Sequence, residues 1–264
     1  GDTLLKKGQL IDAGGLCLAA SGNHATLPVY TRPRVGILAT GDELRPPGSD
    51  LDPGQIIASN SYGVAAIVEA HGGIAIDLGI ARDDKASLKH ALDAAIEQQC
   101  DCLVTLGGAS VGEHDLVRSV FIEAGMTLDF WRILMRPGKP LMFGTMGDMR
   151  IIGLPGNPVS SLVCSHLFVA PLIAALAGRH HKVERQTARL KHNIPANGAR
   201  EQYARAIITR ENGTLFAEVF ENQDSSIVSL YAKANALVVR PINAPEAQAD
   251  ERVEFLLIGT IPGS

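Results

Sequence analysis

Residues 104–117, VTLGGASVGEHDLV, place Gly107 and Gly108 directly behind an apolar run and follow them with Ser110, Gly112, Glu113 and Asp115. Glycines at the end of a strand let the backbone turn sharply and bring amides close to a ligand. Amides at the start of the next helix favour phosphate or another anion. The spacing is neither a P-loop nor a GxGxxG fingerprint, and a tight turn without a ligand is the competing reading. Asp115 either charges the first turn of the following helix, worth up to about 1 kcal/mol, or holds a divalent cation that meets a bound phosphate. His114 reads as a local hydrogen-bonding or surface residue.

Three further loops carry chemistry. ATGDEL ends an apolar run with Thr40, Gly41, Asp42 and Glu43, and GIARDD ends another with Asp83 and Asp84. In a parallel sheet the carboxyl ends of the strands share one edge, where ligands of open α/β folds bind. Acidic loops on that edge suit Mg²⁺ plus phosphate better than a bare anion. Asp84 reads equally as a helix cap. MRPGKPLMFG supplies positive charge from Arg136 and Lys139, with Lys139 fixed between Gly138 and Pro140. Both side chains suit a tetrahedral oxyanion, and a solubilising surface turn is the alternative. GLPGNPVSSLV offers Pro155, Gly156, Asn157, Pro158 and Ser160, either as a capped helix start or as a rigid grip on a polar ring or phosphate.

Other chemistries find no support. There is no nucleophile, base and orienter set, and His24, His71 and His90 are isolated along the sequence. Trp131 and Tyr203 make no aromatic ladder for bases. Met135, Met142, Met146 and Met149 read as apolar packing.

Alternating elements must position these loops. RVGILAT reads as a buried strand, followed by a long loop rich in glycine and proline. Ser59 or Asn60 caps a helix that stops near Gly72. IAIDLGI is a strand, and residues 82–99 are a helix with Leu88, Leu92, Ala95 and Ile96 on its apolar face. DCLVTL is a third strand, with Cys102 and Val104 on one face and Leu103 and Thr105 on the other. A helix spans residues 115–125, and short strands are expected at FWRILM, PLMFGT and RIIGL. Pro158 then opens a helix that Pro171 should kink or interrupt. Ahead of all this, LCLAASGNHATLPVY reads as a short helix, a glycine turn and a strand. The fold class is α/β: a three-layer, mostly parallel sheet with helices on both faces.

Composition shifts near Gly178. Residues 178–190 are basic and polar, and YARAIITR, LFAEVF, ALVVRP and RVEFLLIG read as strands of a small C-terminal antiparallel sheet or barrel. The expected division is 1–33 as a lead-in, 34–178 as the α/β domain and 179–264 as the β domain.

The chain has 264 residues, 46% of them hydrophobic and 20% charged, with a formal net charge of −4. That balance argues against nucleic acid as a partner. Four cysteines without metal spacing fit a reducing, cytoplasmic compartment. No run of about 18 consecutive apolar residues marks a membrane span. The start has no apolar signal core, and it reads as though the chain began inside a larger protein.

TGDEL, GGASVGEHD, RPGKP and LPGNPVS, in this order across nearly the whole chain, resemble the molybdopterin molybdenumtransferase family, MoeA in bacteria and the E domain of gephyrin-like proteins. The resemblance implies a molybdopterin-binding α/β domain followed by a small β domain. It also implies a reaction that joins molybdate to adenylylated molybdopterin with Mg²⁺, releasing AMP. The family's acidic positions match Glu43, Asp83 and Asp115, as catalytic residues and metal ligands, and Lys139 matches its catalytic lysine. Arg136 stands where the family has lysine or arginine, and Ser110, Asn157 and Ser160 lie in its binding motifs.

The resemblance further implies a homodimer and a contact with molybdopterin adenylyltransferase. Most of the family's N-terminal region is missing here, so weakened activity is expected. Two other readings stand beside this one. Molybdopterin adenylylation shares the α/β domain, but the β domain and LPGNPVS favour insertion. A gephyrin-like scaffold would bind a partner segment and tolerate loss of Glu43 or Asp115.

Overall fold

The computed structural model describes residues 2–108, 116–179 and 183–262. A short helix, α1 (Ala13–Ser21), is capped by Asp12, whose carboxylate accepts from the Gly15 amide. The expected strand at residues 26–30 does not form; Pro28 lacks the amide that a ladder needs.

The first sheet builds around β1 (Arg34–Thr40), with α2 (Asn60–Ala70), β4 (Ile74–Ala81), α3 (Lys85–Glu97), β5 (Cys102–Leu106) and α4 (Leu116–Glu123) following. Between β1 and α2, the two-residue strands β2 (Leu44–Arg45) and β3 (Ile56–Ile57) pair with each other inside the long loop. The sheet is completed by β6 (Thr127–Phe130), β8 (Met142–Met146) and β9 (Met149–Leu154), in the order β4-β1-β5-β9-β8-β6. The strands β4, β1, β5 and β9 run parallel, while β8 is antiparallel to β9 and β6 to β8. Mostly parallel is therefore the right description.

Side chains on alternate faces of β5 enter separate cores. Cys102, Val104 and Leu106 pack with Val64, Val68 and Val163, and Leu103 packs with Leu88, Leu92 and Phe121. Each fully buried leucine or phenylalanine contributes roughly 1.5–3 kcal/mol. Helix α3 departs from expectation at Ile96, which is 52% exposed, while Leu88, Leu92 and Ala95 are buried as the period requires. Asp84 is the cap of α3, accepting from the Ser87 amide.

The apolar helix after β9 is continuous from Pro158 to Leu176 but changes register. It runs as α5 (Pro158–Cys164), a π-helical turn (Ser165–Val169) and α6 (Ala170–Leu176). Pro171 neither breaks nor ends it. The wider turn just ahead absorbs the missing amide and the bulk of the ring. This 19-residue helix, with a mean hydropathy of 2.0 over 18 residues, is long and apolar enough to cross a membrane by length and composition, which the sequence reading did not register. Here Val159, Val163, Val169 and Ile173 are buried in the protein core instead.

The second sheet comprises β7 (Met135–Arg136), β10 (Arg185–Leu190), β11 (Glu201–Glu211), β12 (Thr214–Val219), β13 (Ala236–Arg240) and β14 (Arg252–Leu257), with α7 (Val228–Lys233) between β12 and β13. Its order is β12-β10-β14-β13-β11-β7, and β12 also pairs with β11, which closes five strands into a barrel. Ala188, Ala204, Ala206, Ala217 and Ala236 leave room inside for Phe255. On the opposite face Tyr203, Leu237 and Val239 pack into the core of the first sheet.

Two expectations fail at the junction. FWRILM is not one strand: β6 ends at Phe130 in the first sheet, and β7 starts at Met135 in the second. β10 forms within the polar stretch that carried no strand signal, because its inward positions are just Ala188 and Leu190.

Candidate functional site

The parallel strands fix where the loops emerge. Thr40 is level with Ala81, and Leu106 with Leu154, so β1, β4, β5 and β9 all end on one edge. Chain order reverses there, since β4 lies on one side of β1 and β5 on the other; that crevice is the expected ligand position of an open α/β sheet. A cavity of about 1210 Å³ opens at this edge.

Every expected site residue within the described part of the chain lines this one cavity: Thr40, Gly41, Glu43, Asp83, Gly107, Gly108, Arg136, Gly138, Lys139, Pro155, Gly156, Asn157, Pro158 and Ser160. Ser110, Gly112 and Asp115 lie outside the described residues.

One side is acidic. Glu43 and Asp83 come from the loops after β1 and β4, and the Asp83 amide donates to Asp42 at 3.3 Å. Burial first, then the charges of Asp42 and Glu43, raise the Asp83 carboxyl above its ordinary value. Loss of water around a carboxyl and crowding by other carboxylates both disfavour its charged form. Among the described residues no group of three histidine, cysteine or acidic side chains forms a metal cage. Mg²⁺ rarely uses such a cage; it binds one or two carboxylates, substrate phosphate oxygens and water. Glu43 and Asp83 fit that role.

The floor is backbone. Gly107 (φ 95°) and Gly108 (φ 69°) sit in the left-handed region, and a Cβ on Gly108 would meet Val117 at 2.2 Å. Only glycine lets this turn press against α4, and the Gly107 amide pins it by donating to the Leu154 carbonyl at 3.2 Å.

The opposite side is cationic and rich in amides. Arg136 is placed by β7, where it pairs with Gln202 of the barrel. Gly138 (φ 109°) packs onto the buried Cys164, where a Cβ would come within 2.4 Å of the sulfur. Lys139 is thereby carried on a turn anchored to α5. The N-terminal ends of α2 and α5 both face the cavity, with Ser59, Asn60 and Ser61 from one and Asn157, Pro158 and Ser160 from the other. Asn60 ties the two walls together by donating to the Gly156 carbonyl at 2.7 Å. Neither Ser59 nor Asn157 caps its helix with a side-chain bond. Asn157 donates instead to the Ser225 hydroxyl at 2.8 Å, and the Val159 amide donates to the Ser225 carbonyl at 3.1 Å.

Arg200, Gln223, Asp224 and Ser225 of the barrel complete the lining. Sequence reasoning missed all four, together with Ser59, Asn60 and Ser61 as cavity residues. No local motif marks the barrel residues, because they reach the cavity through packing between the sheets.

The histidines fall elsewhere. His71 and His166 meet edge to face, with ring centroids 6.5 Å apart, and His166 shares a 2.9 Å hydrogen bond with Tyr231 of α7. His71 is thus not isolated in space. Burial and the neighbouring His71 lower His166 to about 4, so it is neutral at pH 7. Neither ring lines the cavity.

Comparison with known proteins now adds to this geometry. Residues 36–175 match the model of a probable molybdopterin binding domain, and residues 187–258 that of the MoeA C-terminal region, domain IV. The chain is 35% identical over 256 residues to the molybdopterin molybdenumtransferase of Haemophilus influenzae, covering 96% of this chain and 63% of that protein. It is 32% identical to the Bacillus subtilis protein of the same name, covering 100% and 61%. The crystal structure of the molybdopterin biosynthesis MoeA protein from Pyrococcus horikosii superposes with a TM-score of 0.82 at 32% identity, covering 97% of this chain and 62% of that one. The chain thus spans about three fifths of the length of these relatives.

Proposed function

This chain belongs to the molybdopterin-binding-domain family, in the form that carries a MoeA C-terminal region, and from that premise we propose that its cavity binds adenylylated molybdopterin and joins it to molybdate with release of AMP. In that reaction water adds across the phosphoanhydride bond of the substrate and AMP leaves, while the two dithiolene sulfurs replace two molybdate oxygens, which depart as water. The observation that supports this reading is the single cavity that Glu43 and Asp83 line together with Arg136, Lys139 and the starts of two helices. A ligand with a multiply charged phosphate group needs both halves: cationic and amide donors for its oxygens, and acids for the cation that offsets its charge.

Mg²⁺, when bound, would lie on Glu43 and Asp83 and neutralise negative charge on the phosphates. Lys139 and Arg136 attract the oxyanion, the arginine through two parallel donors. The helix starts at Asn60 and Pro158 turn the partial positive ends of two helices toward phosphate or pterin oxygens.

Product analysis tests the reading. Incubated with adenylylated molybdopterin, Mg²⁺ and molybdate, the protein is expected to release AMP in a molybdate-dependent manner. Pyrophosphate release from ATP and molybdopterin would instead identify an adenylyltransferase. Absence of both, with no binding of either substrate, would overturn the proposal.

A further inference from the structure

The barrel residues in the cavity sit on one loop, and a buried arginine behind them holds it. Arg205 lies on β11 and is 1% exposed. Its Nη1 donates to the Ile227 carbonyl at 3.2 Å, its Nη2 to the Asn222 carbonyl at 3.2 Å, and its Nε to Gln223 Oε1 at 3.3 Å. One guanidinium therefore grips both ends and one side chain of residues 222–227. Gln223 answers through the backbone: its Oε1 accepts from the Arg205 amide at 2.9 Å, and its Nε2 donates to the Arg205 carbonyl at 3.1 Å and the Phe220 carbonyl at 2.7 Å. Strand β12 leaves β11 after Val219 pairs with Ala206. Beyond that point the Gln223 amide takes the place of the missing strand.

The loop held in this way carries Ser225 to Asn157 and to the Val159 amide, and presents Gln223, Asp224 and Ser225 to the cavity. Arg205 itself does not line it. Burying a guanidinium against carbonyls is a costly way to stabilise a fold, because desolvation opposes it and apolar residues of similar volume serve at least as well. A planar fork with several fixed donors is a good way to hold one loop geometry.

We propose that Arg205 is a positioning residue of the site: its guanidinium, locked reciprocally with Gln223, sets residues 222–227 as the barrel-side wall of the ligand cavity. Its turnover readout rests on the proposed function; its structural readout does not.

The test compares the unmutated protein with Arg205→Lys and Gln223→Ala. Hydrogen exchange is followed at amides 222–227 and at Val159, and steady-state AMP release is measured with adenylylated molybdopterin as the varied substrate. Lysine keeps the charge but loses the fork. The expected result is a cooperatively folded variant with exchange about tenfold faster at these amides, KM raised about tenfold and kcat within about twofold. Unchanged exchange and KM, or a fall in kcat at constant KM, would overturn the proposal. Should Arg205→Lys not fold, Gln223→Ala reads the same lock from the loop side by the same criteria. Should the unmutated protein neither release AMP nor bind the substrates, the proposed function fails, while the exchange comparison still decides the role of Arg205.

Discussion

On one side of the cavity, Glu43 and Asp83 ride on loops that leave neighbouring parallel strands. On the other, Arg136 and Ser225 are brought in by contacts between two sheets. The acidic side needs just the first sheet to fold. The other side is completed only where the barrel docks, through β7 pairing with β11 at Arg136 and Ser225 meeting the start of α5. The two sides should therefore respond differently to mutation. Changes on the acidic side act on charge and cation dependence, and changes on the other side act on ligand affinity and on the junction itself.

The largest effect is expected from Lys139→Met, which removes a charge aimed at the oxyanion while keeping the side-chain length. AMP release should fall about 10²–10³-fold in kcat/KM, measured by product chromatography, with the thermal midpoint little changed. Gly138→Ala attacks the same turn through packing. Its Cβ would press on the Cys164 sulfur in a backbone region that strains any side chain. A loss of roughly 1–3 kcal/mol is expected from urea unfolding, together with weakened ligand binding. Ser225→Ala removes one hydrogen bond across the junction, worth about 0.5–1.5 kcal/mol. Calorimetric affinity should drop by no more than about tenfold.

The smallest effect belongs to the acidic side and depends on pH. Folding raises the Asp83 carboxyl above its ordinary value of 3.8. The folded state therefore binds more protons than the unfolded state between the two values, and stability falls as pH rises through that window. Asp83→Asn removes this slope, so its denaturation midpoint should gain on that of the unmutated protein as pH rises above about 4. Salt should shrink the gain, because Asp83 is exposed and screening acts on it. A midpoint difference independent of pH would break the contrast drawn between the two sides.

The same contrast explains what the sequence made legible. Buried runs such as RVGILAT and DCLVTL set the strands, and a parallel sheet brings their ends together whatever the details. Glu43, Asp83, Gly107 and Gly108 could thus be placed on one edge from local pattern. Arg200, Gln223, Asp224 and Ser225 could not, since their place depends on how the barrel packs, and nothing near them in sequence encodes that. FWRILM shows the same limit: its propensity for strand was real, but its two ends pair with different sheets. β10 was hidden by its exposed polar face, and the π-helical turn ahead of Pro171 by its tertiary setting.

The central claim is one cavity in which an acid-held cation and a cationic wall share a single phosphate-bearing ligand. Calorimetric titration with adenylylated molybdopterin, run with and without Mg²⁺ on the unmutated protein and on a Glu43→Gln, Asp83→Asn double variant, tests it most directly. Saturable binding that Mg²⁺ strengthens in the unmutated protein and leaves unchanged in the double variant is the predicted result. Equal strengthening by Mg²⁺ in both proteins would contradict the account.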